Sequence, residues 1–131
     1  MALWAFRCYL DANGVDQIRA AHAEKMRQAR NKFLSRLSAL ATLPFEEWFG
    51  AYYKELHGVA AGVGEIRFKA DGVQQRVLGY RSGEREFTLL LWATEKSGRF
   101  VPLAAPATAL SRKAETEQSK DRSHALWLAL E

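Results

Sequence analysis

The rhythm of apolar and polar positions changes several times along this chain, and each change marks an element. Residues 3–10 mix aromatic and apolar side chains without helical spacing, then meet the turn cluster Asp11-Ala-Asn-Gly14, which reads as a first strand. From Val15 onward Ile18, His22, Met26, Ala29, Phe33, Leu37 and Leu40 recur at spacings of 4, 4, 3, 4, 4 and 3, one stripe of a helix that Asp16 can start. The opposite face of that helix carries Arg19, Lys25, Arg27, Arg30, Lys32 and Arg36. Thr42 and Pro44 restart the chain, and Phe45, Trp48, Phe49, Tyr52 and Leu56 form a second stripe ended by Gly58. The spacing therefore predicts two helices in an antiparallel hairpin, followed by a Gly-rich loop over 58–64.

Three strand-like runs follow. Glu65 to Ala70 alternates, Asp71-Gly72 is a strong two-residue hairpin signal, and Val73 to Arg81 continues the alternation. A turn at Ser82-Gly83-Glu84 leads to Glu86 to Thr94, apolar enough for a central strand. Beyond Pro102 and Pro106 an Ala-rich, charged stretch through Arg122 reads as one helix, and about residues 120–131 carry no assignable pattern.

If Asp71-Gly72 is the turn, Ala70 pairs with Val73, Lys69 with Gln74 and Arg67 with Arg76. Alternation then puts Arg67, Lys69, Gln74, Arg76, Leu78 and Tyr80 on one face and Ile66, Phe68, Ala70, Val73, Gln75 and Val77 on the other, the core face. Two guanidinium groups opposite each other cost stability, within the roughly 0.2–1 kcal/mol of cross-strand pairs. A basic strand face with a tyrosine at its edge is how a nucleic-acid surface looks, although long basic side chains on a solvated face look the same. The register of the third run is open, so Trp92 shares that face in one register and not in another; Trp4, Trp48 and Trp127 read as core.

Composition narrows the classes. A hydrophobic fraction of 48% over 131 residues fits one globular domain. No apolar run approaches the ~18 residues of a membrane span, and the N-terminus lacks the basic region of a signal peptide. With Cys8 alone there is no internal disulfide, and the expectation is a cytoplasmic protein without metal or cofactor, since His22, His57, His124 and Cys8 lack ligand spacing. The net charge of +4 is compatible with a polyanionic partner. No phosphate loop, nucleophile elbow or zinc-protease motif occurs.

The run Glu65-Ile-Arg-Phe-Lys-Ala-Asp-Gly-Val-Gln-Gln-Arg-Val-Leu-Gly-Tyr80, then Glu86-Phe-Thr-Leu-Leu-Leu, then Glu95-Lys96, resembles the phage-derived, HigB-like branch of the RelE toxin superfamily. The match covers roughly Gly64 to Lys96, and the order of elements around it agrees. The resemblance implies an α+β fold of strand, two-helix hairpin, antiparallel three-strand meander and C-terminal helix (βααβββα). It also implies a toxin of a type II toxin–antitoxin pair: an endoribonuclease that cuts mRNA on the ribosome, restrained by a helix-turn-helix antitoxin. In such a reaction the RNA 2′-OH attacks the adjacent phosphate without metal, so the protein moves protons and stabilises the phosphorane. Arg67, Arg76 and Lys96 match the family's basic positions. Lys69, among like charges, is the candidate for proton transfer; with Arg76 and Lys96 it makes the expected catalytic set, while Arg67, Gln74, Tyr80 and Trp92 are expected to bind RNA. Glu95 stands where the family often has a second basic residue, and no catalytic Tyr or His is evident near the C-terminus beyond His124. The alternative is a non-catalytic RNA-binding or phage accessory protein on the same fold.

Overall fold

The computed structural model describes residues 2–130. Its order is β1 (Ala5–Tyr9), α1 (Gln17–Glu24), α2 (Arg27–Ala41), a 3-10 turn (Phe45–Glu47), β2 (Tyr53–Glu55), a second 3-10 turn (Gly58–Ala60), β3 (Gly64–Ala70), β4 (Val73–Gly83) and β5 (Glu86–Lys96). Then come β6 (Arg99–Val101), α3 (Ala105–Gln118), a third 3-10 turn (Lys120–Arg122) and β7 (Ser123–Ala125). The fold is α+β: among the described residues, three helices and an open, mixed sheet of seven strands. No helix there is long and apolar enough to cross a membrane.

The sheet runs β2-β3-β4-β5-β1-β7, with β6 hairpinned onto the end of β5. β3, β4 and β5 form an antiparallel meander, and β1 joins β5 in parallel. The β3–β4 register is the one the turn dictates: Ala70 faces Val73, Lys69 faces Gln74 and Arg67 faces Arg76. Asp71 and Gly72 both take positive φ, 51° and 77°, the twist that a two-residue hairpin needs and that Asn, Asp and Gly tolerate.

The helical expectations are corrected in three places. The single helix expected from Val15 to Leu40 is two helices, because Lys25 and Met26 are extended. Met26 consequently leaves the stripe and is 72% exposed, while Ile18, Ala29, Phe33, Leu37 and Leu40 are buried as the spacing requires. Asp16 does start α1, its carboxylate accepting from the Arg19 amide. The second helix, expected between Pro44 and Leu56, does not form. Its aromatic residues instead make a knot: Trp48 is fully buried against Trp4, Phe6 and Phe87, and donates its indole N–H to the Leu40 carbonyl at the end of α2. Gly50 at φ 111° turns the chain so that Tyr53 can pair with Ile66 in β2. The C-terminal helix stops at Gln118 rather than Arg122, and the unassigned tail supplies β7, antiparallel to β1.

Both faces of the sheet are covered. One packs Ile66, Phe68, Ala70, Val77, Leu89 and Trp92 against Ile18, Phe33, Leu37 and Leu40 of α1 and α2. The other packs Leu78, Tyr80, Leu90 and Ala93 against Ala105 and Ala109 of α3. The hairpin face expected to be open is therefore closed over much of its length, because small alanines let α3 lie close to the strands.

Candidate functional site

The polar face of β3 and β4 assembles a cluster whose floor is buried and whose rim is open. Arg76 (3% exposed) and Glu65 (5% exposed) form the floor, and Arg67, Gln74 and Glu95 are half-buried around them. The Arg76 Nε lies 3.2 Å from Glu65 Oε2 and donates to Glu95 Oε1 at 3.1 Å. Its Nη1 donates to the Gln75 carbonyl at 2.9 Å and reaches the Gln74 side-chain oxygen only at 3.5 Å. Two carboxylates thus accompany the two facing arginines, contrary to the expectation of an unrelieved basic pair. Glu65 reaches the face by alternation, two residues before Arg67; Glu95 reaches it because it pairs with Gln74.

The balance is incomplete in hydrogen-bond terms. Glu65 Oε2 and Arg67 Nε are buried without a hydrogen bond among the described residues, so the Glu65–Arg76 contact there is an ion pair without a well-aligned donor. Burial pushes the Glu65 carboxyl above its ordinary value, with Arg76 and then Arg67 pulling it back only in part. A carboxyl held toward protonation beside two guanidinium groups has the parts for moving a proton and stabilising a phosphate.

The other expected site residues scatter. Lys69 is exposed on the rim. Lys96 is also exposed, but alternation along β5 sends it to the same face as Trp92 and Thr94, away from Arg76. Lys69, Arg76 and Lys96 do not converge. Trp92 is buried on the α1–α2 face, stacked on Phe33 with ring centroids 4.6 Å apart, and its indole donates to Gln75 at 2.8 Å. It is not available to stack on a base. Tyr80 lies under α3, 7% exposed, its hydroxyl 2.8 Å from Thr116 Oγ1. Four residues along β4 from Arg76, it lines a separate cleft of about 860 Å³.

The basic face of α2 has a structural task that spacing alone did not reveal. Beyond Ile66 the outer edge of β3 pairs with no strand among the described residues. Arg36 Nη1 donates to the Arg67 carbonyl at 2.7 Å, Lys32 Nζ to the Lys69 carbonyl at 2.9 Å, and Gln28 accepts from the Asp71 amide. Residues four apart on a helix meet residues two apart on a strand, and the exposed edge is closed by side chains.

No family model matches this chain, and no curated protein or solved structure does either. No group of His, Cys, Asp and Glu side chains that could hold a metal ion occurs among the described residues.

Proposed function

We propose that this protein is an RNA-cleaving toxin of the RelE/HigB-like kind, its working surface being the polar face of the β3–β4 hairpin. The observation that carries the reading is the cluster of Glu65, Arg67 and Arg76 on facing strands. Its support is the antiparallel meander from Gly64 to Lys96; β2, β6 and β7 and the absent helix after Pro44 depart from the βααβββα order that the sequence resemblance implies. In this reading Glu65, its carboxyl raised by burial, takes the 2′-OH proton as the 2′-oxygen bonds to phosphorus, and Arg67 with Arg76 behind it stabilises the phosphorane. The P–O5′ bond then breaks to leave a 2′,3′-cyclic phosphate, the 5′-oxygen taking its proton from solvent water. Lys69 on the rim receives the RNA backbone. Lys96, on the other face, takes no part in the chemistry. The partners proposed are mRNA on the ribosome and a small helix-turn-helix antitoxin.

Induced expression is expected to arrest growth with cleavage of translated mRNA. Glu65→Gln, which keeps the shape of the side chain, is expected to relieve the arrest while circular dichroism stays native. Arrest and cleavage undiminished in Glu65→Gln and in Arg67→Gln would refute the mechanism. A second reading, RNA binding without cleavage, is favoured by the burial of Arg76 between two carboxylates. It predicts salt-sensitive RNA binding with mRNA left intact on translating ribosomes.

A further inference from the structure

The outer edge of β3 turns a line of backbone groups toward the basic face of α2. The Arg67 amide donates to the Tyr52 carbonyl at 2.8 Å, away from β4. The Arg67 carbonyl and, two residues on, the Lys69 amide and carbonyl therefore point the same way. Arg36 Nη1 donates to the first of these carbonyls at 2.7 Å and Lys32 Nζ to the second at 2.9 Å. The Lys69 amide stands between the two carbonyls, and the charged groups on either side of it are donors that cannot accept from it. A guanidinium, an amide N–H and an ammonium thus follow one another along about 7 Å of strand, two residues at the ordinary rise.

These donors open on a groove of about 360 Å³ between α2 and the strand edge, lined also by Tyr52 and the exposed Lys69 side chain. Among the described residues no carboxylate lines it, and none lies within ion-pair distance of Lys32, Arg36 or Lys69. Neutral carbonyls fix Lys32 and Arg36 in position while leaving their charge intact and N–H donors to spare, as anion recognition demands. The larger cleft beside Tyr80 differs on this point, since Glu55, Glu86 and Glu117 line it.

Donors spaced in this way match a tetrahedral oxyanion, which takes a charge-assisted bond of about 2.8 Å on each side. An aromatic surface stands beside the anion position: Tyr52 is 40% exposed, and the Arg36 guanidinium lies 4.2 Å from its ring centroid. Lys69 alternates onto the polar face of the hairpin, so the groove begins where the proposed RNA surface ends. We infer that this groove binds single-stranded RNA, one backbone phosphate on Lys32, Arg36 and the Lys69 amide and the adjoining base against Tyr52. The inference rests on the RNA reading above for its ligand but needs no cleavage.

The test is a titration of the ¹⁵N-labelled full chain with a single-stranded RNA hexamer, the same hexamer in a duplex, and inorganic phosphate. The single strand is expected to shift the Lys69 amide signal and to bind more tightly than the duplex or phosphate. Lys32→Gln is expected to weaken the hexamer several-fold and to lower the salt slope by about one; Lys32→Arg is expected to restore both. Tyr52→Leu is expected to weaken the hexamer roughly tenfold, within the worth of one base stacked on an aromatic ring, and to leave phosphate binding unchanged. A Lys69 amide unmoved at saturating hexamer would overturn the inference in the parent chain, without recourse to any variant. So would unchanged affinity in Lys32→Gln, or a duplex bound as tightly as the single strand. Growth arrest and mRNA cleavage persisting beside any of those results would leave the nuclease reading standing. Hexamer binding in the groove with no cleavage would sink that reading and leave this one.

Discussion

Replacing Arg76 by Met removes a buried charge and keeps most of the aliphatic stem. Its Nε is the ion-pair partner of both Glu65, whose side chain is 7% exposed, and Glu95, whose side chain is 28% exposed. Breaking a buried pair from one side costs about 3–5 kcal/mol, because the remaining charge is stranded. The low end applies here, since Glu95 can hydrate and Arg67 remains near Glu65. A loss of about 3 kcal/mol is a large share of a typical 5–15 kcal/mol stability. With a urea slope of about 1.5 kcal/mol/M it moves the midpoint on the order of 2 M.

The loss should depend on pH. Burial already raises the Glu65 carboxyl in the folded state, and removing Arg76 deletes the largest opposing influence. A folded state that holds a proton more tightly than the unfolded chain is favoured at low pH and loses that advantage as pH rises through the folded value. Urea midpoints measured at pH 5 and pH 7 should therefore show a smaller deficit for Arg76→Met at pH 5. Adding Glu65→Gln should recover part of the loss at pH 7. A deficit under 1 kcal/mol, or one equal at both pH values, would refute the stranded-carboxylate argument. Under the proposed function, loss of growth arrest in an Arg76 variant would by the same reasoning report unfolding as readily as chemistry, which is why Glu65→Gln and Arg67→Gln are the sharper functional tests.

Other positions yield independent outcomes. In Gly79→Ala the new Cβ would collide with the Thr88 carbonyl and the Phe87 ring, so thermal unfolding should reveal about 1–3 kcal/mol of overpacking. Asp16→Ala removes both the α1 cap and the partner of His124, held at 2.6 Å, and should cost about 1–2 kcal/mol in urea, with Asp16→Asn costing less because it keeps the cap. Joint replacement of Gln28, Lys32 and Arg36 by Ala should speed hydrogen exchange at the Asp71 amide and raise concentration-dependent association, because the β3 edge is uncovered.

The hairpin was legible because its turn is chemically particular: Asp-Gly fixed the pairing, and the pairing fixed the faces. The first apolar stripe was legible too, but nothing in its spacing marks the extended pair Lys25-Met26, since neither residue is a helix breaker. The stripe from Phe45 to Leu56 satisfied helical periodicity for another reason. Three of its neighbours in space, Trp4 just before β1, Phe6 in β1 and Phe87 in β5, are distant in sequence, and an aromatic knot does not need a helix to fill it. The closure of the second sheet face was hidden because Arg76 reads as polar, whereas its charge is met by Glu65 and Glu95. Alternation alone placed Glu65 beside Arg67 and was the available signal.

The excess of basic residues also changes meaning once each is located. Arg30, Arg36, Arg112 and Arg122 donate to the backbone carbonyls of Lys25, Arg67, Leu90 and Leu10, tying loops and edges together. An arginine used in this way keeps its charge but gives up freedom to follow a ligand. Arg122 is also paired with Glu115, and Arg76 goes further, its charge met by two carboxylates. The positive charge that faces solvent at the hairpin therefore comes less from its floor than from Lys69 on its rim. If RNA meets the hairpin rim as proposed, charge reversal at Lys69, an exposed position, should weaken binding of a single-stranded hexamer mainly at low salt while the urea midpoint stays that of the parent chain; unchanged low-salt affinity would refute a role for the rim.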